Sequence, residues 1–221
     1  MERKYKVLVL VVVLVLLAAV GASVLFPAAA GSVADGVRSL LWKTGQVDSQ
    51  YAGGEQGAVA YTGEHIKIYQ EELDRFAQRI NLTADDLDTS YEEALRSLAV
   101  REILCYRAEQ EGLPNDEESF QAVLEENRKA VEASANYEDA LSYFEGMGMT
   151  AEEYWKWAAT DPGTRKEYYA GLYREKLRED FYRENGIKAS DEDGYAQWSE
   201  YYEEYCDRAV SEENLQKANG Q

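Results

Sequence analysis

The chain contains very few side chains of the kinds that carry nucleophilic or metal chemistry. It has one histidine, His65, and two cysteines, Cys105 and Cys206. A Ser-His-Asp or Cys-His arrangement would have to be built on His65, which has no Ser or Cys near it in sequence. One His and two distant Cys also provide no ligand cluster at the spacing of a zinc site. We therefore predict no catalytic residue and no metal site, and we interpret His65 as a surface turn residue.

Carboxylates are abundant, but their spacing does not define a site. Residues 85–88 and 191–193 form acidic clusters, and neither continues into the alternating oxygen ligands and terminal Glu of a calcium loop. Carboxylates at helix starts account for both clusters, because the first turn of a helix favours negative charge. A convergent carboxylate pair that cleaves glycans is a third functional alternative, although nothing singles out two of the 42 acidic residues. The sequence indicates no cofactor.

The sequence is compatible with two chemical states of the cysteines, a disulfide and two free thiols. Outside the cytoplasm, a disulfide between Cys105 and Cys206 is chemically permitted. Closing a loop of about 100 residues would stabilise the fold by about 4–5 kcal/mol on the chain-entropy model. The alternative is two unpaired thiols on helical faces, and the spacing alone does not separate these states.

The N-terminus carries a membrane signal. Residues 7–26 are an apolar run of 20 residues without a charge, and a helix of that length spans the roughly 30 Å hydrocarbon core of a bilayer. Arg3, Lys4 and Lys6 precede the run, and such residues stay in the cytoplasm. We predict a cytoplasmic segment at 1–6, a transmembrane signal-anchor at 7–26 and an extracytoplasmic remainder on the plasma membrane. The alternative is cleavage after Ala30 and secretion, because small residues follow the run.

Charge and aromatic content limit the partners. The chain has 42 acidic against 23 basic residues, a net charge of −19. Such a surface repels phosphate backbones and acidic lipid headgroups, so we expect no nucleic acid partner. The 17 tyrosines and 4 tryptophans indicate a folded chain, because disordered segments are poor in aromatics.

The pattern of the remaining chain predicts a mostly α fold. Residues 27–56 are rich in Gly, Ser and Ala and predict a flexible tether. Within it, Val37, Leu40, Leu41 and Trp42 could form one amphipathic turn, which would rest either on the bilayer surface or on the domain. Residues 58–68 form two short alternating runs around a Thr-Gly-Glu-His turn, which predicts a β-hairpin. Beyond it the apolar period is helical and the tail at 211–221 is polar. Helices are predicted at residues 69–80, 91–112, 116–133, 137–146, 151–160, 163–185 and 191–209.

Capping signals and one aromatic stripe support these helices. Ser90 with Glu93 and Thr150 with Glu153 have the spacing of a capping box; Asn115 with Glu118 and Ser190 with Asp193 follow it closely. The last helix carries a stripe that requires a partner helix, formed by Tyr195, Trp198, Tyr202, Tyr205 and Ala209.

Four stretches, taken in order, carry a family resemblance. They are the hairpin at 59–67, the helix at 95–113 with its Ala-x-x-x-Gly end, the Gly-Met-Gly-Met-Thr-Ala-Glu-Glu-Tyr-Trp helix start at 146–155, and residues 186–193 followed by Tyr201-Tyr202. Together they make residues 57–210 resemble the N-terminal chaperone domain of SurA/PrsA-type extracytoplasmic foldases. The resemblance implies ATP-free holding of unfolded clients. Prolyl isomerase activity is not implied, because the histidines of the parvulin domain are not found after His65.

We therefore expect a membrane-anchored holdase that binds unfolded or secreted polypeptides in a cleft between helices. The alternative is an anchored interaction or scaffold module of an envelope or sporulation assembly. An apolar trough where helix 191–209 packs onto helices 91–112 and 163–185 would support holding. For each predicted client-binding ring, ordinary core packing is the competing interpretation; these rings are Phe120, Tyr137, Tyr143, Phe144, Tyr154, Trp155 and Trp157.

Overall fold

The architecture is a helical body with a small sheet at one side. A computed structural model describes residues 30–51, 57–83, 87–188, 191 and 193–218. Within these ranges the chain forms eight helices and a three-stranded antiparallel sheet. In chain order the elements are α1 (Ala30–Tyr51), β1 (Val59–Thr62), β2 (Lys67–Tyr69), α2 (Gln70–Asn81), α3 (Leu87–Gln110), α4 (Glu117–Glu132), α5 (Tyr137–Gly146), α6 (Ala151–Ala158), α7 (Pro162–Asn185), α8 (Gly194–Glu212) and β3 (Gln216–Lys217).

The predicted hairpin is confirmed and gains a third strand. β1 pairs antiparallel with β2, and Thr62 lies opposite Lys67. On its other side β1 pairs with β3, and the Ala218 N–H donates to the Ala60 carbonyl at 2.8 Å. The tail at 211–221, predicted only as a polar extension, is therefore part of the fold as far as the structure describes it. A two-residue strand carries no alternation of its own, and pairing with β1 provides its hydrogen bonds.

The mostly helical fold class is confirmed, and local signals explain several of the helix ends. Thr150 and Glu153 form the predicted capping box at the start of α6. Asp116 caps α4 through the Ser119 N–H at 2.8 Å, one residue beyond the predicted Asn115. α3 begins earlier than predicted, at Leu87, so Ser90 is a buried residue inside the helix.

α1 differs from the flexible tether predicted at 27–56. Residues 30–51 are helical and pack along α5, with Leu41, Val47 and Asp48 buried. Gly45 of α1 and Gly146 of α5 permit a very close approach of the two helices, because a Cβ on Gly45 would collide with the Tyr143 carbonyl oxygen. Local composition opposes this helix, and its packing against α5 stabilises it.

The core consists of two main apolar clusters. One joins the sheet to α2 and α3 around Ile68, Leu73 and Leu98. The other joins α1, α4, α5 and α6 around Leu41, Leu124, Phe144 and Trp155. A smaller cluster of Leu104, Ala108, Ala170 and Tyr173 packs α3 against α7.

The predicted membrane span at 7–26 lies outside the described residues. Of the helices in the described ranges, none combines the length and the apolar character that crossing a bilayer requires.

Candidate functional site

A solvent-accessible groove lies where α8 packs back onto α3 and α7. Its volume is about 310 Å³. Its floor is apolar and is formed by Val100 and Leu104 of α3 with Ala170 and Gly171 of α7. Tyr202 of α8 supplies an aromatic wall. This is the location at which the sequence predicted a trough.

Helical spacing places these side chains on one surface. Val100 and Leu104 are four residues apart on α3, as are Tyr202 and Cys206 on α8, so each pair shares a helix face. Gly171 leaves the floor of the groove open, since a Cβ added there would meet no heavy atom within 4 Å. The groove forms because Gly171, in the middle of α7, lies opposite Val100 and Leu104 of α3.

Charged residues form the rim of the groove. Arg96 of α3 holds α8 through Asp207 at 2.7 Å and Glu203 at 3.3 Å. Glu167 and Arg174 of α7 complete the charged part of the lining together with Arg101. An apolar floor with a charged rim is typical of ligand sites, in which apolar side chains supply the contact area and a few polar groups orient the ligand.

A buried ion network lies beneath one end of the groove. Arg101 is only 4% exposed and contacts Glu72 at 2.7 Å and Glu167 at 3.7 Å. Burial opposes ionisation of Glu72, but Arg101 and Lys166 outweigh it and hold the pKa of that carboxyl below its ordinary value. Burial likewise disfavours the Arg101 cation, yet its carboxylate partners raise its pKa. The network links α2, α3 and α7, because the Arg101 guanidinium of α3 contacts carboxylates of both other helices.

Both cysteines are free thiols in the structure, so the disulfide alternative is not realised. The Cys105 thiol donates to the Lys166 carbonyl at 3.3 Å, and burial raises its pKa to about 12. Burial also raises the pKa of Cys206, which lines the groove. Neither thiol has the lowered pKa of a reactive nucleophile.

His65 has a structural environment. Its backbone N–H donates to Glu213 Oε2 at 2.8 Å, and its Nδ1 lies 3.1 Å from Glu213 Oε1. The imidazole stacks on Tyr106 with ring centroids 4.5 Å apart. The ring is partly exposed, as expected for a turn residue, but it also ties the hairpin to the C-terminal end of α8.

The structure does not bring the predicted client-binding rings to the groove. Five of them are buried: Phe120, Tyr143, Phe144, Tyr154 and Trp155. Phe120 packs on Tyr168, and the other four form the ring stack beneath α1, where Phe144 and Tyr154 are 4.2 Å apart. Tyr137 and Trp157 are partly buried against the same cluster. The five buried rings are each 8% exposed or less, which leaves too little surface to contact a client.

Sequence reasoning missed most of the groove residues. The aromatic stripe of α8 indicated one wall, through Tyr202. Gly171 and Arg174 carry no signal of their own, because a mid-helix glycine and an arginine are ordinary in a charged helix. Only the packing of α7 against α3 shows that they face a common space.

A second hollow of about 320 Å³ lies between α4 and α6. Leu124 and Trp155 contribute to it, but charged pairs occupy its edges, including Lys156 with Glu152 at 2.7 Å. It is therefore a weaker match to an apolar ligand than the groove between α3, α7 and α8.

Comparison with known proteins identifies no relative. Neither the family models, nor the curated proteins, nor the solved structures gave a match. The resemblance to the foldase chaperone domain therefore stays a prediction. In the described part of the chain, no three His, Cys, Asp or Glu side chains are grouped so that they could hold a metal ion.

Proposed function

We propose that this protein is a membrane-anchored, extracytoplasmic holdase that binds unfolded or secreted polypeptides without ATP and without prolyl isomerase activity. The observation that carries the proposal is the open groove between α3, α7 and α8, with its apolar floor and charged rim. An extended chain can place an apolar side chain against the partly buried Val100 and Tyr202 while its backbone stays near the polar rim. The volume of about 310 Å³ is at the small end of ligand pockets, so the groove holds one or two side chains of a client at a time.

The acidic surface supports the same function. With a net charge of −19, copies of the protein repel one another and remain soluble while they expose an apolar groove. The anchor predicted at 7–26 would keep this groove close to chains that cross the membrane.

The test uses the full chain in lipid nanodiscs and a groove-filling variant. Gly171→Leu places a side chain in the space above the groove floor, where no heavy atom lies within 4 Å of the added Cβ. Gly36→Leu is the matched control, because Gly36 is also helical with open space around its Cβ, but it lies on α1 away from the groove. Wild type and Gly36→Leu are expected to suppress aggregation of a denatured model protein at a stoichiometric ratio, and Gly171→Leu is expected to lose most of this effect.

Two outcomes would overturn the proposal. One is that the wild-type chain leaves aggregation unchanged. The other is that Gly171→Leu, folded as judged by circular dichroism, suppresses aggregation as well as the control does.

One observation favours the alternative of a scaffold module. α1 is docked tightly on α5 through Gly45 and Gly146, so it has a fixed orientation relative to the helical body. A fixed orientation is useful for presenting one surface to a folded partner. Recovery of one tightly bound folded protein in a pulldown, without any suppression of aggregation, would favour this alternative.

A further inference from the structure

Arg174 differs from the other two arginines of the groove in its partners. Arg96 is paired with Asp207 and Glu203, and Arg101 lies in the buried network. Arg174 forms no ion pair at 4.0 Å or less with any carboxylate of the described residues. The polar group beside it is the Tyr202 hydroxyl, an uncharged partner on the facing helix.

The carboxylates around Arg174 are already engaged. Glu203 pairs with Arg96 at 3.3 Å, and Glu167 contacts Arg101 at 3.7 Å. Glu175, the next residue in the chain, pairs with Arg178. Arg174 is therefore a cation of the groove lining whose neighbouring carboxylates are paired with other arginines. Its presence beside an apolar floor points to an anionic group on the ligand.

The backbone around Arg174 also leaves room for a chain end. Arg174 follows Gly171 by three residues, so its side chain leans back over the turn that contains the bare Gly171 backbone. No heavy atom lies within 4 Å of the position of a Gly171 Cβ. A ligand backbone can therefore approach α7 closely at this point and still reach the guanidinium.

We propose that the groove captures the free C-terminal carboxylate of an extended polypeptide whose last side chain is apolar. Arg174 pairs with the carboxylate, and the last side chain packs against Val100 and Tyr202, the partly buried apolar side chains of the groove. A chain end fits this site better than an internal Asp or Glu does. At a chain end the carboxylate and the apolar side chain belong to one residue, and the groove has a cation and apolar side chains next to each other. The proposal rests on the proposed function and specifies which part of a client the groove recognises.

The test compares labelled peptides of one sequence ending in Phe, either with a free carboxylate or as the C-terminal amide. A third peptide carries the amide and an internal Glu two residues before the end. Fluorescence anisotropy with the full chain in nanodiscs is expected to give the free acid about tenfold or more tighter binding than either amide, since charge-assisted hydrogen bonds contribute about 1.5–3 kcal/mol. The ratio is expected to shrink with added salt.

Variants assign the effect to Arg174. Arg174→Gln is expected to bind acid and amide equally, and Arg174→Lys should retain part of the preference for the acid. Arg183→Gln is the matched control: Arg183 lies on the same helix, is 68% exposed and is not part of the groove lining. It should keep the full preference.

The outcomes separate this proposal from the function on which it rests. Equal binding of acid and amide by wild type, or tight binding of the internal-Glu amide, would overturn carboxylate capture at the chain end and leave holding intact. A preference that survives in Arg174→Gln would overturn the role of this residue. If none of the peptides binds and aggregation is not suppressed, the proposed function itself fails.

Discussion

Gly45 and Gly146 determine how α1 joins the rest of the protein. Each glycine faces backbone of the other helix: a Cβ on Gly146 would collide with the Trp42 carbonyl oxygen. Backbone cannot move aside as the end of a flexible side chain can. The contact therefore depends on the absence of side chains at these two positions, although elsewhere in a helix glycine is unfavourable.

Gly146→Ala is expected to lower the free energy of unfolding by about 1–3 kcal/mol or more, because α1 must move away from α5. Gly171→Ala is the control, since its Cβ enters open space and alanine favours helix by up to about 1 kcal/mol. Urea unfolding followed by circular dichroism measures both values. If Gly146→Ala proves as stable as wild type, the close packing of α1 on α5 is wrong.

At the scale of elements, the hairpin and the C-terminus are tied together by Glu213. Its side chain is only 6% exposed, and it accepts the His65 backbone N–H at 2.8 Å. Its backbone carbonyl accepts the Glu64 N–H at 3.1 Å. Glu213 thus holds the β1–β2 turn against the end of α8, next to the point where β3 joins the sheet.

Glu213→Ala is expected to destabilise the protein by about 1–3 kcal/mol, because it leaves the partly buried His65 N–H without its acceptor. Faster hydrogen exchange at the amide of residue 65 would report the same loss locally. Glu64→Ala serves as the comparison, since the Glu64 side chain is also close to His65 but is 70% exposed. It should change stability by no more than about 0.5 kcal/mol. Equal effects of the two substitutions would contradict the structural role of Glu213.

Elements with strong local signals could be predicted from the sequence, and elements held by tertiary contacts could not. The Thr150 and Glu153 pair predicted the start of α6, because the capping box is formed within one turn. Only one amphipathic turn of α1 was predicted, because its glycines and serines indicate a tether and the full helix depends on its close packing against α5. β3 was missed because its two polar residues show no strand pattern. For the groove, the aromatic stripe containing Tyr202 predicted one wall. That Arg174 has no carboxylate partner among the described residues could not be predicted, because it depends on how α7 packs against α3 and α8.

At the scale of the whole molecule, buried tyrosines are expected to lower the free energy of unfolding at alkaline pH. Burial raises the pKa of Tyr143 well above its usual value, and the Asp48 carboxylate that accepts its hydroxyl at 2.5 Å raises it further. Burial raises the pKa of Tyr154 in the same way. Both rings lie in the cluster beneath α1, so their ionisation would place charge in the core.

Stability is therefore expected to fall in alkaline solution. Below about pH 10, the usual pKa of tyrosine, both rings are neutral in the folded and unfolded states, and the stability is fully present. Above it the unfolded chain loses these protons while the folded chain keeps them, so stability falls as the pH rises toward the pKa values of the folded protein. We expect a group of tyrosines to titrate at 295 nm only together with the loss of helical circular dichroism; complete titration near pH 10 with the helices intact would contradict this.

The docking of α1 limits the reach of the groove. If residues 7–26 cross the bilayer, only residues 27–29 separate that crossing from the first residue of α1, and three residues extend at most about 10 Å. A body fixed to α1 would then be held near the bilayer, whereas a body on a long flexible linker could move far from it.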